Sequence, residues 1–273
     1  MSARAPVLRR PKRRPFLPLY TALVIFYLQI PILVMILFGF NDTGGRFNFK
    51  WQGFTLEWYR NLLEIPDLTT AIKNSIVIAV VAALVATIFG TMIALAMARY
   101  RFRGQSGIDL ILFMNIATPE IVLGAALLGL FLTVGLSRGF VTILIAHIMF
   151  CIPFVTITVR ARAVSLDRSL EEAAQDLGAS PWVAFWKVTF PALFPGILAG
   201  ALLAFALSID DYIITSFVAG QTLTFPVWVV GASRVGVPPQ VNVMGTLIFL
   251  FGIALVMFTV LAARRAAARN VAL

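Results

Sequence analysis

Long apolar runs, each separated from the next by a short polar segment, dominate the chain. Windows almost free of charge span 16–40, 72–98, 108–134, 140–159, 190–218 and 243–263. Each reaches or exceeds the roughly 18–20 apolar residues that a helix needs to cross a bilayer. Lipid offers no partner to backbone N–H and C=O groups, so such runs must satisfy their own hydrogen bonds as helices. The pattern predicts an all-α integral membrane protein of six transmembrane helices.

The first run follows a basic segment, Arg9-Arg10-Pro11-Lys12-Arg13-Arg14, as a signal peptide would. Its length of about 24 residues exceeds the 7–15 of a signal-peptide core, and no small-residue cleavage site follows, so it reads as an uncleaved anchor. Lys and Arg near the ends of spans stay on the cytoplasmic side. With the N-terminus inside, that side receives the basic tail, Arg99, Arg101, Arg103, Arg160, Arg162, Arg168, Lys187, Arg264, Arg265 and Arg269, leaving only Arg46, Lys50, Arg60, Lys73, Arg138 and Arg234 outside. Both termini are therefore predicted to be cytoplasmic.

Composition agrees: 60% of residues are hydrophobic, 12% are charged, and the mean hydropathy is +0.93. A soluble domain cannot hide that much apolar surface. The net charge of +10 would point to nucleic acid in a soluble protein, but the positive-inside asymmetry accounts for it. The one cysteine, Cys151, lies in an apolar run and reads as a packing residue.

Two outer segments are long enough to have shape. Residues 41–70 carry Trp51, Phe54, Leu56, Trp58, Tyr59, Leu62 and Leu63 among polar positions, which predicts a short amphipathic helix at the membrane surface, serving as an aromatic anchor or a docking element. Residues 219–242, with Pro226, Pro238 and Pro239, read as an outer loop or re-entrant turn.

Between the fourth and fifth runs, 165–189 is amphipathic and too polar to span. Ser169 stands three residues before Glu172, a capping-box spacing, and Glu171, Glu172 and Asp176 suit the positive end of a helix. Ala173 and Ala174 extend that helix. Gly178 then offers a left-handed terminator, and Pro181 can open a second helix at its first turn. Trp182, Val183, Phe185, Trp186 and Val188 give this second piece an apolar face that requires lipid or protein to cover it.

Glu172-Ala173-Ala174, Gly178, Pro191 and Pro195-Gly196-Ile197 together resemble the EAA loop of type I ABC importer permeases, and Ala98-Arg99-Tyr100-Arg101-Phe102-Arg103-Gly104 is similar to the same family. The resemblance covers about 68–265. It implies the type I (MetI-like) permease fold, with a cytoplasmic coupling helix formed around Glu171, Glu172, Ala173, Ala174, Asp176, Gly178 and Pro181 that inserts into a groove on a dimer of ATP-binding subunits. The chain then divides into a basic tail (1–15), a first span with an outer segment (16–67), the permease core (68–265) and a second tail (266–273). No G-x-x-x-x-G-K-[ST] stretch is present, so nucleotide is expected on a separate polypeptide.

Acidic residues inside spans are functional candidates, because each costs about 2.5–3.5 kcal/mol to insert. Glu120, after Pro119, and Asp210 and Asp211 qualify, and no Lys or Arg in those helix interiors neutralises them. They suit a cationic substrate in a low-dielectric cleft. The same residues also fit structural roles: Pro119 can break its helix, and the Asp pair can end a discontinuous one. Successive residues lie about 100° apart on a helix, so only one of the two Asp side chains can face a central path. The stretch from Asp210-Asp211-Tyr212 to Gly220, the segment 235–242 and Pro119-Glu120 resemble the spermidine/putrescine branch of the permease family, specifically its second permease subunit. That resemblance implies polyamine uptake with a paired homologous permease and an extracytoplasmic solute-binding protein, with Glu120, Asp210, Asp211 and Tyr212 as pathway residues.

His147 has no acidic neighbour in sequence and reads as a packed histidine. Gly196-x-x-x-Gly200 reads as a helix-packing motif. No nucleophile elbow, Cys/His cluster or metal-ligand spacing appears, so no catalytic residue, metal or cofactor is assigned. Three alternatives remain: an importer permease for another small organic solute, a proton-coupled carrier using Glu120 or Asp210, and a non-transporting scaffold.

Overall fold

The computed structural model describes residues 16–44 and 47–271, with backbone alone at 255, 258–260 and 262–271. The expected basic tail, Arg46 and the side chains of Arg264, Arg265 and Arg269 lie outside the described residues.

Among the described residues every named element is a helix. In order, the elements are α1 (Phe16–Phe38), α2 (Glu57–Arg60), α3 (Pro66–Arg99), α4 (Gln105–Ala117), α5 (Glu120–Thr133), α6 (Phe140–Val164), α7 (Ser169–Asp176), α8 (Pro181–Ala184), a π-helical turn (Phe185–Thr189), α9 (Phe190–Ile209), α10 (Ile213–Val218), α11 (Phe225–Ser233) and α12 (Pro239–Val271). Among the described residues four helices are long and apolar enough to cross a membrane, with α8, the π-turn and α9 running on as one of them, and five if α4 and α5 count as one span. The apolar stretch of α12 searched, Pro239–Ala254, is shorter.

Two of the expected continuous spans are broken. The run 108–134 bends by 109° between α4 and α5. Pro119 has no N–H and pushes the residue before it out of the helical region, and Thr118 accordingly sits at φ −72°, ψ 128°. The run 190–218 stops at Ile209 and resumes at Ile213. There the carboxylate of Asp211 takes the N–H groups of Ile214 and Thr215, a local alternative to helical hydrogen bonding that Asp side chains favour.

The chain forms two compact units. One comprises residues 63–234 and is built on α3, α6 and α9. Its tightest point is Val155 on α6: a Cβ at Gly90 on α3 would lie 2.7 Å from Val155 Cγ1, and one at Gly200 on α9 would lie 3.2 Å from it. Two glycines therefore admit one branched side chain between three helices, the close approach that small residues permit. Gly196, the other half of the expected packing motif, meets Arg162 on the same side of α6. Outward faces such as Leu84, Ile88, Phe113 and Ile157 remain exposed, as lipid or protein contact in a membrane demands.

The second unit joins the described residues of 16–62 to those of 235–271. Met35 of α1 lies against Gly245 of α12. The segment expected to form an amphipathic helix folds mainly as a loop, with one helical turn at Glu57–Arg60. Its centre is Asn41, wholly buried. The Asn41 amide donates to Asn48 and to the Lys50 carbonyl, its Oδ1 accepts from Gln52 N–H, and its carbonyl accepts from Trp58 Nε1. These side-chain bonds supply the partners that a helix would otherwise provide. Phe40 stacks on Phe54 and Tyr59 above them.

Candidate functional site

The segment between α6 and α9 folds as a helix, a sharp turn and a second helix, the arrangement its residues predict. The start differs by one detail. The Ser169 N–H is taken by Asp167 Oδ1 at 3.0 Å, a bond that holds the Asp167 carboxyl below its usual range. The expected Ser169–Glu172 box is thus replaced by Asp167, whose carboxylate reaches the first N–H directly. Gly178 has φ 88°; its N–H bonds to Gln175 O, and Ala179 N–H bonds to Ala174 O. That pair of bonds around a left-handed residue is a Schellman stop. Ser180 then caps α8 by accepting Val183 N–H, with Pro181 at the first position.

One acidic residue of this elbow is tied inward and its neighbour faces out. Glu171 receives both guanidinium nitrogens of Arg99, at 2.6 and 2.9 Å, and also the hydroxyl of Thr189. Arg168 in turn donates to the Arg99 carbonyl at 2.6 Å. Arg160 pairs with Asp109 of α4, and Arg162 donates to Ala192 O at 3.0 Å. Glu172 is exposed. Leu177 and Trp182 are 90% and 70% exposed, and Trp182, Phe185, Trp186, Phe190 and Phe194 form a ladder of ring contacts running into α9. Of the two adjacent glutamates it is Glu171 that the fold ties into the elbow, through Arg99, which lies 72 positions away.

At the opposite end of α9, the two helix breaks meet. A Cβ on Gly124, one turn after Glu120, would lie 2.7 Å from Phe217 Cδ2 and 3.3 Å from Ile214 Cα, so the first turns of α5 lie against α10. Glu120 is exposed and within electrostatic reach of Asp210 and Asp211. The Asp pair separates sharply. Asp210 is exposed and closes α9, with Tyr212 half-buried beyond it. The side chain of Asp211 is 3% exposed; it accepts from the N–H groups of Ile214 and Thr215, from Thr215 Oγ1 at 2.7 Å, and lies 3.3 Å from His147 Nε2. His147, set aside for want of an acidic neighbour in sequence, has one in space. No periodicity links residues 147 and 211, so only packing could reveal it.

Residues 86–271 match the family described as the binding-protein-dependent transport system inner membrane component. The chain belongs to that family. Similarity to individual proteins extends almost end to end. The spermidine/putrescine transport system permease protein PotC of Haemophilus influenzae is 38% identical over 89% of this chain and 94% of its own length. The putrescine transport system permease protein PotI of Escherichia coli is also 38% identical, over 89% and 87%. A bacterial alginate ABC transporter, solved in complex with an alginate pentasaccharide-bound periplasmic protein, has a chain that superposes with a TM-score of 0.65 at 15% identity, covering 93% of this chain and 96% of that one. The chain is thus a multi-pass inner-membrane permease subunit of an ABC importer with the type I permease fold, a transport component and not an enzyme.

Proposed function

We propose that this permease forms half of the path by which an ATP-driven importer carries polyamines such as spermidine or putrescine into the cell, with Glu120 and Asp210 facing the substrate and the 169–189 elbow receiving the ATPase. The substrate reading rests on one juxtaposition: two exposed carboxylates, from different helices, at facing breaks in an apolar bundle. Carboxylates in a low-dielectric cleft attract ammonium groups and accept their hydrogen bonds. The relatives named for spermidine/putrescine and putrescine transport support the same class.

In this reading the basic residues at the elbow end of α3, α6 and α9 mark the cytoplasmic side, both termini lie there, and the Glu120–Asp210 end is outer. Glu172, Leu177 and Trp182 meet a groove on a dimer of ATP-binding subunits. A second, homologous permease completes the path, and an extracytoplasmic solute-binding protein delivers the substrate, as the alginate neighbour's periplasmic partner suggests for this fold. Closure of the ATPase dimer moves the elbow and rocks α3, α6 and α9 between inward-open and outward-open arrangements.

The deciding experiment is uptake of radiolabelled spermidine by the complete complex in proteoliposomes. ATP-dependent accumulation is expected. Uptake driven by a proton gradient without ATP, or preference for a neutral or anionic solute, overturns the reading.

A further inference from the structure

His147 is 2% exposed, on α6, and touches both sides of the α9–α10 break. Its Nδ1 lies 2.7 Å from Ser208 Oγ, in the last turn of α9, and its Nε2 lies 2.9 Å from Thr215 Oγ1, on α10. The single hydroxyl proton of Thr215 is directed to Asp211 Oδ2 at 2.7 Å. Thr215 can therefore only accept from Nε2, which must carry a hydrogen. Nδ1 is then free to accept the Ser208 hydroxyl. The network closes with one ring proton: Ser208 to His147, His147 to Thr215, Thr215 to Asp211, and Asp211 satisfied further by two backbone N–H groups.

Asp211 is the charged group against the ring; Cys151, one turn along α6, donates to Ala204 O, and Glu120 and Asp210 lie beyond. Hydrogen bonds thus join α6 to α9 and to α10 across a gap where the backbone is not helical. We propose that His147 is a positioning residue for transport, a hydrogen-bond spacer that sets where Asp210 stands relative to Glu120 and carries no transported proton. The proposal rests on the reading that Glu120 and Asp210 line the path.

Gln is the conservative test, since its amide offers a donor for Thr215 and a carbonyl for Ser208; Leu offers neither. In the assembled importer, with spermidine as probe, His147→Leu is expected to raise the apparent KM about tenfold or more, the consequence of leaving buried hydroxyls unpaired at the break. His147→Gln is expected to stay within about threefold of wild type and to keep the wild-type pH profile, and Ser208→Ala to fall between the two. A Gln variant as impaired as Leu, or one whose pH profile of uptake changes, overturns the proposal, because the ring would then be exchanging a proton. So does a Leu variant that lowers only membrane abundance while KM is unchanged.

A second measurement does not depend on substrate. In a Glu120→Cys, Asp210→Cys, Cys151→Ala background, a short bismaleimide is expected to bridge the two introduced thiols equally with His147 retained and with His147→Gln, and poorly with His147→Leu. Equal bridging in all three overturns the positioning role. Absence of polyamine uptake by wild-type protein, with bridging still dependent on residue 147, sinks the substrate reading alone.

Discussion

Arg99, the last residue of α3, grips Glu171 of α7 through two parallel hydrogen bonds of 2.6 and 2.9 Å, with Thr189 at the foot of α9 on the same carboxylate. A 34-residue helix, about 51 Å long, is thereby fastened at one end to the elbow. Toward its other end, Asn74 donates to Leu223 O and Ser75 accepts from Phe225 N–H, holding the start of α11. Displacement of the elbow must be transmitted along α3, because a packed helix moves as a rigid body.

Arg99→Ala removes one partner of a partly buried bidentate pair, a loss of roughly 1–3 kcal/mol. Substrate uptake is expected to fall at least about tenfold, while the ATPase still co-purifies, since Glu172, Leu177 and Trp182 are untouched. The double exchange Arg99→Glu with Glu171→Arg is expected to recover part of the uptake. No recovery, with both proteins in the membrane at wild-type level, would refute the latch.

Gly178 occupies a left-handed turn that bulkier residues reach only at about 1–2 kcal/mol. Gly178→Val is expected to uncouple uptake from ATP hydrolysis, and Gly178→Asn, which tolerates that conformation, to do so less. Glu172→Lys leaves the backbone intact and is expected to weaken ATPase co-purification instead. ATP-hydrolysis and pull-down measurements on the three variants separate the two effects.

The acids at the helix breaks should behave as two classes. Glu120→Gln and Asp210→Asn are expected to raise the apparent KM for spermidine with normal membrane abundance. Asp211→Asn turns an amide donor toward N–H groups that need an acceptor, at about 1–3 kcal/mol, and is expected to lower abundance first. Immunoblots beside uptake kinetics distinguish the classes; an Asp211 variant that is abundant and altered only in KM would reverse the assignment.

Orientation can be read with thiol reagents, because the one native cysteine is buried. Gln175→Cys on α7 is expected to react only with reagent supplied from the cytoplasmic side, and Gln52→Cys only from outside. The opposite pattern would invert the topology and remove the elbow from reach of any ATPase.

Residues close together in sequence already determine much of this protein. Apolar length predicts membrane helices because lipid forces hydrogen bonds to be satisfied locally; Gly178 and Pro181 foretell the elbow because caps and turns involve only a few consecutive residues. Even the helix breaks have local causes, in Pro119 and Asp211. Tertiary structure decided which member of each acidic pair is bonded inward and which is exposed. Glu171 and Glu172 are adjacent in sequence and alike in chemistry, as are Asp210 and Asp211. Arg99, brought from a distant helix, bonds Glu171 and leaves Glu172 exposed, and His147, brought from α6, meets Thr215, whose hydroxyl Asp211 accepts, since a hydrogen bond depends on distance in space, which helix packing sets and the order of residues along the chain does not state.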